Sequence, residues 1–454
     1  MVEIKVGQSY EVVIENMAHE GQGIARIEGF TVFVEGAIFG ERVLARINKV
    51  TKSYAIAEVE KIIEASNYRQ KPFCTYAENC GGCGLQHMSY EGQLVFKKMK
   101  VEDSLKRIGK VEAIVYNTIG MENPINYRNK AQYPIGMKNN KPVMGFFMKR
   151  THEIVPIEYC PIQSKESNEA LLAVREWVER YNISIYDEIH HKGLVRHLVT
   201  RHAIKTGEVM VVLVINGEDI PKKKELIELL KLKVNGLSSV YLNINTKKTN
   251  VIMGEKNILI FGNPTITEYI GDIKFSLSPL SFFQVNPVQV KVLYDKVLEF
   301  ADLKGDETVL DVYCGIGTIS LYLAKKAKKV IGIEVVRDAV RDARENAKMN
   351  GISNAEFMEG EAEKIMPELA EKGTKPEVVV VDPPRKGCEK EVLFAIAEMN
   401  PQKIIYVSCN PATLARDLGI LKEKGYQTQF VQPVDMFPHT HHVECVAYLN
   451  FNIS

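Results

Sequence analysis

Up to about residue 62, hydrophobic and polar residues alternate in short segments that are rich in β-branched side chains. Examples are YEVVIENM, FTVFVEGA, RVLARINKV and YAIAEVEKI, and glycine-containing turns separate them. Alternation with a period of two predicts half-buried strands, and glycines between such runs predict tight turns. Several short strands at this spacing indicate a small closed or nearly closed β-barrel over residues 1–62.

The pattern between residues 63 and 270 is mixed. Up to about residue 92 there is little periodicity, and then GQLVFKKMKVEDSLKRIG shows apolar residues at helical spacing before a closing glycine. Further along, AQYPIGM and EVMVVLVIN predict strands, whereas SNEALLAVREWVERYN and PKKKELIELLKLK predict helices. We therefore expect a mixed α+β central domain over residues 63–270.

Strands and helices alternate regularly in the C-terminal part of the chain. The segments ETVLDVY, KVIGIEVV and EVVVVDPP are continuous apolar runs, as expected of strands that are covered on both faces. Amphipathic helices lie between them. Residues 271–454 are thus predicted to form a doubly wound, Rossmann-like α/β domain with a parallel sheet.

The composition is that of a globular protein, with 45% hydrophobic and 25% charged residues. We see no apolar run of membrane-spanning length and no signal-peptide pattern in MVEIKVGQSYEV, so we expect a soluble, cytoplasmic protein. In a reducing compartment, the eight cysteines should not form disulfides. Clustered cysteines there more often bind metal, and a single one can be a nucleophile.

Charge is unevenly distributed, although the formal net charge is only +1. Residues 65–160 carry 14 Lys and Arg against 8 Asp and Glu, whereas residues 301–454 carry 19 against 23. This distribution suits a protein that holds a polyanion in one region and performs chemistry in another. The candidate backbone contacts in the barrel are Arg26, Arg46, Lys49 and Lys52.

Ligands of doubly wound domains bind beyond the carboxyl ends of the strands, where the strand order reverses. One predicted strand ends in DVYCGIG, and Glu334 ends the next, where a carboxylate can accept ribose hydroxyls. Ser320 stands where a dinucleotide fingerprint has its third glycine. The run from Asp382 to Arg385, DPPR, resembles the signature of nucleic-acid methyltransferases. Because enzymes that methylate amino groups have an aromatic residue in place of Arg385, we expect another target atom.

Cys409 and Glu444 supply the remaining chemistry. Cys409 lies between a predicted strand and a predicted helix, where the helix N-terminus should favour its thiolate. The rival nucleophile, Cys388, lies in a loop without this setting. Addition of Cys409 to carbon 6 of uracil would activate carbon 5 for methylation, and Glu444 would then remove the proton from carbon 5. A metal site at the nearby histidines of FPHTHH is disfavoured, because their spacing matches no common zinc pattern.

Four segments, DVYCGIGT, VDPPRKG, VSCNPATLARDL and FPHTHHVECVAYL, resemble the RNA uracil-5-methyltransferase family, and the resemblance covers essentially the whole chain. It implies S-adenosyl-L-methionine as methyl donor, Cys409 as nucleophile and Glu444 as proton acceptor. LSPLSFFQVNP, at residues 277–287, also matches. The cofactor contacts that the resemblance implies are Gln284, Tyr313, Glu334 and Asp382.

The N-terminal barrel resembles a TRAM domain, an RNA-binding module found in the ribosomal members of this family. Since the tRNA members are expected to lack both the barrel and the cysteine cluster, the resemblance implies 23S ribosomal RNA as substrate, with tRNA as the alternative. The cysteines similar to the family's ligands for a four-iron, four-sulfur (4Fe-4S) cluster are Cys74, Cys80, Cys83 and Cys160. Zinc also accepts four cysteines, so it stays open on chemistry alone.

Other expectations concern partners. The resemblance implies that the YRNK segment at 127–130 and the pairs Arg196/His197 and Arg201/His202 face RNA. No membrane or obligate protein partner is expected. A non-catalytic RNA-binding protein could dispense with Cys409 and Glu444, and both are present.

Overall fold

The computed structural model describes residues 4–451, so the predicted domain ends at residues 1–3 and 452–454 lie outside the described residues. An N-terminal six-stranded sheet has the order β1-β5-β6-β4-β3-β2. Its strands are β1 (Ser9–Val13), β2 (Asn16–Met17), β3 (Gly23–Ile27), β4 (Phe30–Glu35), β5 (Arg42–Val50) and β6 (Tyr54–Glu64). Alternate side chains, among them Val32, Val34 and Val43, form a separate small core. β1 also contacts β3, which curves the sheet into the predicted barrel.

Turns carrying the first three cysteines follow the barrel, and the predicted helix then forms as α1 (Tyr90–Ser104). A π-helical turn, Leu105–Gly109, ends it, and β7 (Ile114–Val115) follows. A Cβ on Gly109 would lie 2.2 Å from the backbone oxygen of Ala415, so this close approach requires glycine.

The central sheet has the order β10-β9-β8-β11-β12-β13-β14. Its strands are β8 (Lys130–Lys138), β9 (Lys141–Phe147), β10 (Ile154–Pro156), β11 (Val195–His202), β12 (Val209–Ile215), β13 (Leu237–Ile244) and β14 (Lys256–Gly262). Helices α2 (Lys165–Arg180) and α3 (Lys223–Lys233) pack on one face. The other face, including Val199 and Val212, joins the hydrophobic core of the C-terminal part. A hairpin of β15 (Ile266–Ile270) and β16 (Ile273–Leu277) leads there.

The C-terminal sheet confirms the predicted doubly wound topology, with the order β19-β18-β17-β20-β21-β23-β22-β7. Its own strands are β17 (Thr308–Val312), β18 (Lys329–Glu334), β19 (Ala355–Glu359), β20 (Val378–Val381), β21 (Lys403–Ser408), β22 (Tyr426–Val434) and β23 (Glu444–Phe451). The helices are α4 (Pro287–Ala301), α5 (Thr318–Ala324), α6 (Arg337–Met349), α7 (Ala362–Glu371), α8 (Lys390–Met399) and α9 (Pro411–Glu423). The order reverses between β17 and β20, and β23 runs antiparallel to both of its neighbours.

Part of the predicted central segment belongs to this C-terminal sheet. Ile114 and Val115 of β7 pair with β22, and Val101 and Leu105 lie in the same hydrophobic core as β20 and β21. A helical pattern indicates which face of α1 is buried but not which domain buries it. In the described part of the chain, no helix has the length and apolar content that a membrane span requires.

Candidate active site and cysteine cavity

The first turn of the candidate site follows β17. Tyr313 adopts a left-handed backbone conformation with φ of 71°, and the N–H groups of Tyr313 and Cys314 both donate to the backbone oxygen of Ile333, at 2.9 and 3.0 Å. This turn brings the N–H of Gly315 to 3.0 Å from Oε2 of Glu334. The Glu334 carboxylate is therefore already oriented at the carboxyl edge of the sheet, where a nucleoside can bind.

Two further carboxyl groups lie at the same edge. Burial raises the pKa of Asp382 to about 6 and that of Asp311 to about 7. Ser320, which replaces the third glycine of a dinucleotide fingerprint, donates a 2.5 Å hydrogen bond to Asp311. These carboxyl groups, together with Glu334, suit a ligand that carries positive charge, such as a sulfonium.

The loop that contains Gln284 is attached to the central sheet. Asn129 donates from Nδ2 to the backbone oxygen of Gln284 at 3.1 Å, and from its own N–H to that of Val285 at 2.9 Å. Arg201 donates to the backbone oxygens of Pro279, at 3.2 Å, and of Ser281. The central domain thus supports a segment beside the cofactor cleft.

The expectation that Arg196 and Arg201 face RNA is wrong. The two residues are 2% and 4% exposed, and both donate to backbone oxygens inside the protein. Arg196 also lies over the ring of Tyr186 at 4.2 Å. Charged residues in a sequence do not reveal whether internal carbonyl groups will satisfy them, which is why the pattern was misleading here.

Cys409 and Glu444 come from neighbouring antiparallel strands. Ser408 of β21 pairs with Cys445 of β23, so continuing the register would place Cys409 opposite Glu444. Asn410 caps α9 by accepting a 3.0 Å hydrogen bond from the N–H of Ala412. Glu444 is buried, and burial together with Asp382 raises its pKa to about 8. A carboxyl group of this kind can act as a general base near neutral pH.

The helix N-terminus is one of several influences on the Cys409 thiol, and the backbone N–H of Cys409 lowers the pKa as expected. Burial, Glu444 and Asp382 raise the pKa of the thiol to about 11, and Arg385 offsets only part of this rise. Burial and the two carboxyl groups together raise the pKa of the thiol more than Arg385 and the backbone N–H lower it, because a thiolate here would be poorly solvated and close to negative charge. Cys409 is therefore protonated until a base or a positive charge acts on it.

The rival cysteine has a different environment. Cys388 is buried in the hydrophobic core, and its N–H donates to Oδ2 of Asp417 at 2.8 Å. Tyr406 donates to the same oxygen at 2.5 Å. Burial raises the pKa of Cys388 to about 12, so this thiol is a packing residue.

The three histidines of the segment before β23 differ in their surroundings. His439 is buried between Gln93, whose Nε2 lies 3.3 Å from Nδ1, and the backbone oxygen of Pro124, 3.0 Å from Nε2. Burial lowers the pKa of His441 to about 4 and that of His442 to about 3. Both are neutral around pH 7.

All four cysteines of the predicted cluster line one cavity of about 380 Å³, although Cys160 lies far along the chain from the others. Burial and the neighbouring thiols raise the pKa of Cys83 to about 12 and that of Cys160 to about 11. Within residues 4–451, however, no three His, Cys, Asp or Glu side chains are arranged to hold a metal ion. Four cysteine thiols are chemically suitable ligands for an iron–sulfur cluster or a zinc ion. Their arrangement around the cavity, however, does not support the prediction of a bound cluster.

The fold and the cleft together define a class of protein. A doubly wound sheet with carboxyl groups at its switch point, next to a cysteine and a buried glutamate, fits an S-adenosylmethionine-dependent methyltransferase, and the comparisons with known proteins agree. The sequence model described as tRNA (Uracil-5-)-methyltransferase matches residues 89–452, and the TRAM domain model matches residues 3–59. The chain belongs to this family of RNA uracil-5-methyltransferases.

Individual proteins extend this result. An uncharacterized RNA methyltransferase of Caldanaerobacter subterraneus is 55% identical, with 98% of this chain and 99% of the relative covered. An uncharacterized RNA methyltransferase of Clostridium tetani is 50% identical, with 99% of this chain and 98% of the relative covered. The crystal structure of Pyrococcus abyssi tRNA (uracil-54, C5)-methyltransferase with S-adenosyl-L-homocysteine aligns with a TM-score of 0.76 at 30% identity, covering 97% of this chain and 100% of that one.

The Pyrococcus alignment corrects one step of the sequence argument. An alignment over 97% of this chain cannot leave out the N-terminal barrel, and the aligned protein is a tRNA methyltransferase. The expectation that tRNA members lack the barrel is therefore wrong. A module that binds RNA backbone is compatible with more than one folded RNA, so its presence does not identify the substrate.

Proposed function

We propose that the protein methylates carbon 5 of a uridine in RNA by way of a covalent bond between Cys409 and carbon 6 of the base. The observation that carries the proposal is the juxtaposition of Cys409 and the buried Glu444 on adjacent strands, beside the carboxylate-lined cleft. Cofactor contacts at Gln284, Tyr313, Glu334 and Asp382 are part of the proposal and rest on the family resemblance.

The steps balance with the residues in place. The partly exposed thiol of Cys409 gives its proton to solvent, Sγ adds to carbon 6, and the electron pair of the double bond moves to the oxygen on carbon 4. Carbon 5 then takes the methyl group from the sulfonium donor, whose positive charge also favours the thiolate. Glu444 removes the proton from carbon 5, and the bond between Sγ and carbon 6 breaks. The products are 5-methyluridine in RNA and the demethylated donor.

Glu444→Gln tests this cycle. The variant can still form the adduct and transfer the methyl group, but it has no carboxylate to take the proton from carbon 5. We expect methylated RNA to stay bound to Cys409 and to migrate with the protein on a denaturing gel. Release of methylated RNA at the normal rate would assign the base to another residue, and His441 and His442 would then be the first candidates.

For the substrate we propose 23S ribosomal RNA, because the barrel matches the TRAM domain that ribosomal members carry, and tRNA is a second candidate that the barrel does not exclude. The second candidate is favoured by the alignment with the Pyrococcus tRNA enzyme over the full length of that chain. Mapping 5-methyluridine in both RNA classes, from cells with and without the protein, decides between them. A site lost only from tRNA would contradict the ribosomal proposal.

We further propose that Cys74, Cys80, Cys83 and Cys160 hold a 4Fe-4S cluster. The support for this proposal is that all four cysteines line one cavity and that the family resemblance implies them as cluster ligands, with zinc as the alternative. A positively charged centre would also offset the cost of ionising buried thiols. No step of the reaction needs an electron, so its role is structural.

A further inference from the structure

The loop between β22 and β23, residues 435–443, delivers Glu444. Val434, the last residue of β22, pairs directly with Glu444, the first residue of β23. Asp435 follows Val434 and is therefore next to the pair that fixes the proposed base. Whatever holds this loop also sets where the Glu444 carboxyl group lies.

One face of α1 holds the loop along its length. Gln93, Lys97 and Lys100 are spaced four and three residues apart, which places them on the same side of the helix, here called the polar face of α1. Lys97 donates from Nζ to Oδ1 of Asp435 at 2.5 Å and to the backbone oxygen of Phe437 at 3.1 Å.

The other two residues of the polar face bind further along the loop. Oε1 of Gln93 accepts a 2.9 Å hydrogen bond from the N–H of His439, and Lys100 donates to the backbone oxygen of His441 at 2.8 Å. Nζ of Lys100 also lies 3.0 Å from the backbone oxygen of His19 in the barrel. Every second residue from 435 to 441 is thus bound, and the barrel is tied to the same support.

Burying the polar groups of this face costs free energy, so a reason for the hydrogen bonds that they make has to be found. Gln93, Lys97 and Asp435 are all fully buried. A buried ion pair contributes little net stability, and apolar residues of similar size often do as well or better. Directed hydrogen bonds, however, hold a loop in one position more strictly than apolar packing does.

Cys409 is held by other elements. It follows β21, and Asn410 beside it donates from Nδ2 to the backbone oxygen of Arg385 at 3.2 Å. Within residues 4–451, the side-chain hydrogen bonds of Gln93, Lys97 and Lys100 reach the loops and the barrel, and none reaches β21 or α9. The hydrogen bonds of the polar face therefore support the segment before Glu444, whereas the contacts of α1 with α9 are made by apolar residues.

We propose that the polar face of α1 positions Glu444, so that it affects removal of the proton from carbon 5 much more than it affects the addition of Cys409. This inference rests on the proposed function. Gln93, Lys97 and Lys100 are positioning residues, because they act on the base through the loop.

The test uses the full-length protein and an RNA oligonucleotide that carries the mapped target uridine. The variants are Lys100→Met and the neutral pair Lys97→Met with Asp435→Asn, which avoids leaving one buried charge alone. Lys98→Met is the matched control, because Lys98 lies on the same helix but pairs with Asn117 and Glu102 outside the loop. Thermal melting verifies that each variant is folded.

Two measurements separate the steps. With 5-fluorouridine at the target, carbon 5 has no proton to lose, so the rate at which the covalent complex appears reports addition and methyl transfer. With uridine deuterated at carbon 5, a kinetic isotope effect on turnover reports proton removal. Misplacing a reacting group by about 1 Å can cost roughly a hundredfold, so we expect turnover to fall by about tenfold to a hundredfold in both loop variants. The fluorinated adduct should form at nearly the normal rate, and the isotope effect should increase.

Equal slowing of adduct formation and turnover, or an unchanged isotope effect, would overturn the inference. A similar fall in turnover in Lys98→Met would also overturn it. Failure of the proposed function looks different, because the parent protein would then form no adduct with fluorinated RNA at all. The parent protein therefore tests the proposed function, and the loop variants test the positioning role. If the paired variant does not fold, Lys100→Met alone tests the positioning role.

Discussion

The active-site cleft and the cysteine cavity bring distant residues together in different ways. In the cleft, Glu334, Asp382 and Cys409 each stand at the carboxyl end of a parallel strand, and backbone hydrogen bonds between strands fix their spacing. In the cavity, Cys74, Cys80 and Cys83 lie outside the named helices and strands. A sheet can position side chains without a ligand, whereas a set of loops depends more on what the side chains bind.

This difference separates the consequences of losing a cysteine in each region. In the cleft, the loss should abolish chemistry and leave the fold intact, because the strands hold their positions without the thiol. In the cavity, the loss should weaken the fold, because the proposed centre would link turns that lie outside the named helices and strands. The predictions below test this contrast.

The largest effect is expected in the cleft. Cys409→Ala should abolish turnover and the covalent RNA complex, because no other group can add to carbon 6, while the melting temperature stays within a few degrees of the parent protein. Cys388→Ala is the control, since Cys388 is buried beside Tyr406 and Asp417. It should keep both adduct and product, measured by gel and by methyl incorporation. Full activity in Cys409→Ala together with loss in Cys388→Ala would reverse the assignment.

A smaller but distinct effect is expected in the cavity. Protein purified without oxygen should be brown and contain iron and acid-labile sulfide, and Cys83→Ser or Cys160→Ser should lose most of both. If the cluster contributes about 3 kcal/mol to stability, its loss lowers the melting temperature by roughly 10 °C. Cys388→Ser is a control for replacing a buried thiol. If the parent protein contained stoichiometric zinc and no iron, the cluster assignment would be wrong and the cysteines would form a zinc site.

The contrast also explains how far the sequence was informative. Strand ends of a doubly wound sheet meet at a known place, so DVYCGIG, Glu334, DPPR and Cys409 could be assigned to one cleft from their positions after predicted strands. The topology also carries Glu444 there, because β23 inserts between β21 and β22, although no periodicity indicates an antiparallel insertion.

The burial of polar side chains and the identity of their hydrogen-bond partners could not be predicted from the positions of predicted strands and helices. The polar residues of α1 look like an exposed helix face in sequence, yet Gln93 and Lys97 are fully buried. Arg196 and Arg201 look like nucleic-acid contacts and bind carbonyl groups instead. The net pKa shift at Cys409 also depends on burial and on carboxyl groups distant in sequence, which a local rule about helix N-termini does not include. Each of these properties is set by tertiary packing.

A further predicted effect concerns the pH dependence of stability that follows from burying Glu444 in the cleft. The pKa of the Glu444 carboxyl group rises on folding from an ordinary value near 4.5 to about 8. Between these two pH values the folded protein keeps a proton that the unfolded chain has lost. The free energy of unfolding therefore falls as the pH rises from about 4.5 to 8, and it changes little from this group outside that interval.

Glu444→Gln should remove this dependence, because a glutamine does not ionise. We expect the variant and the parent protein to melt at similar temperatures near pH 4.5, and the variant to melt a few degrees higher at pH 8. Glu398→Gln, at an exposed position of α8, is the control and should change neither value. Turnover of the parent should increase toward pH 8 over the same interval, because only the ionised carboxylate can accept the proton from carbon 5. A variant that melts lower than the parent at pH 8 would mean that the ionised carboxylate stabilises the fold, and the cleft would then resemble the cavity in depending on its own functional group for stability.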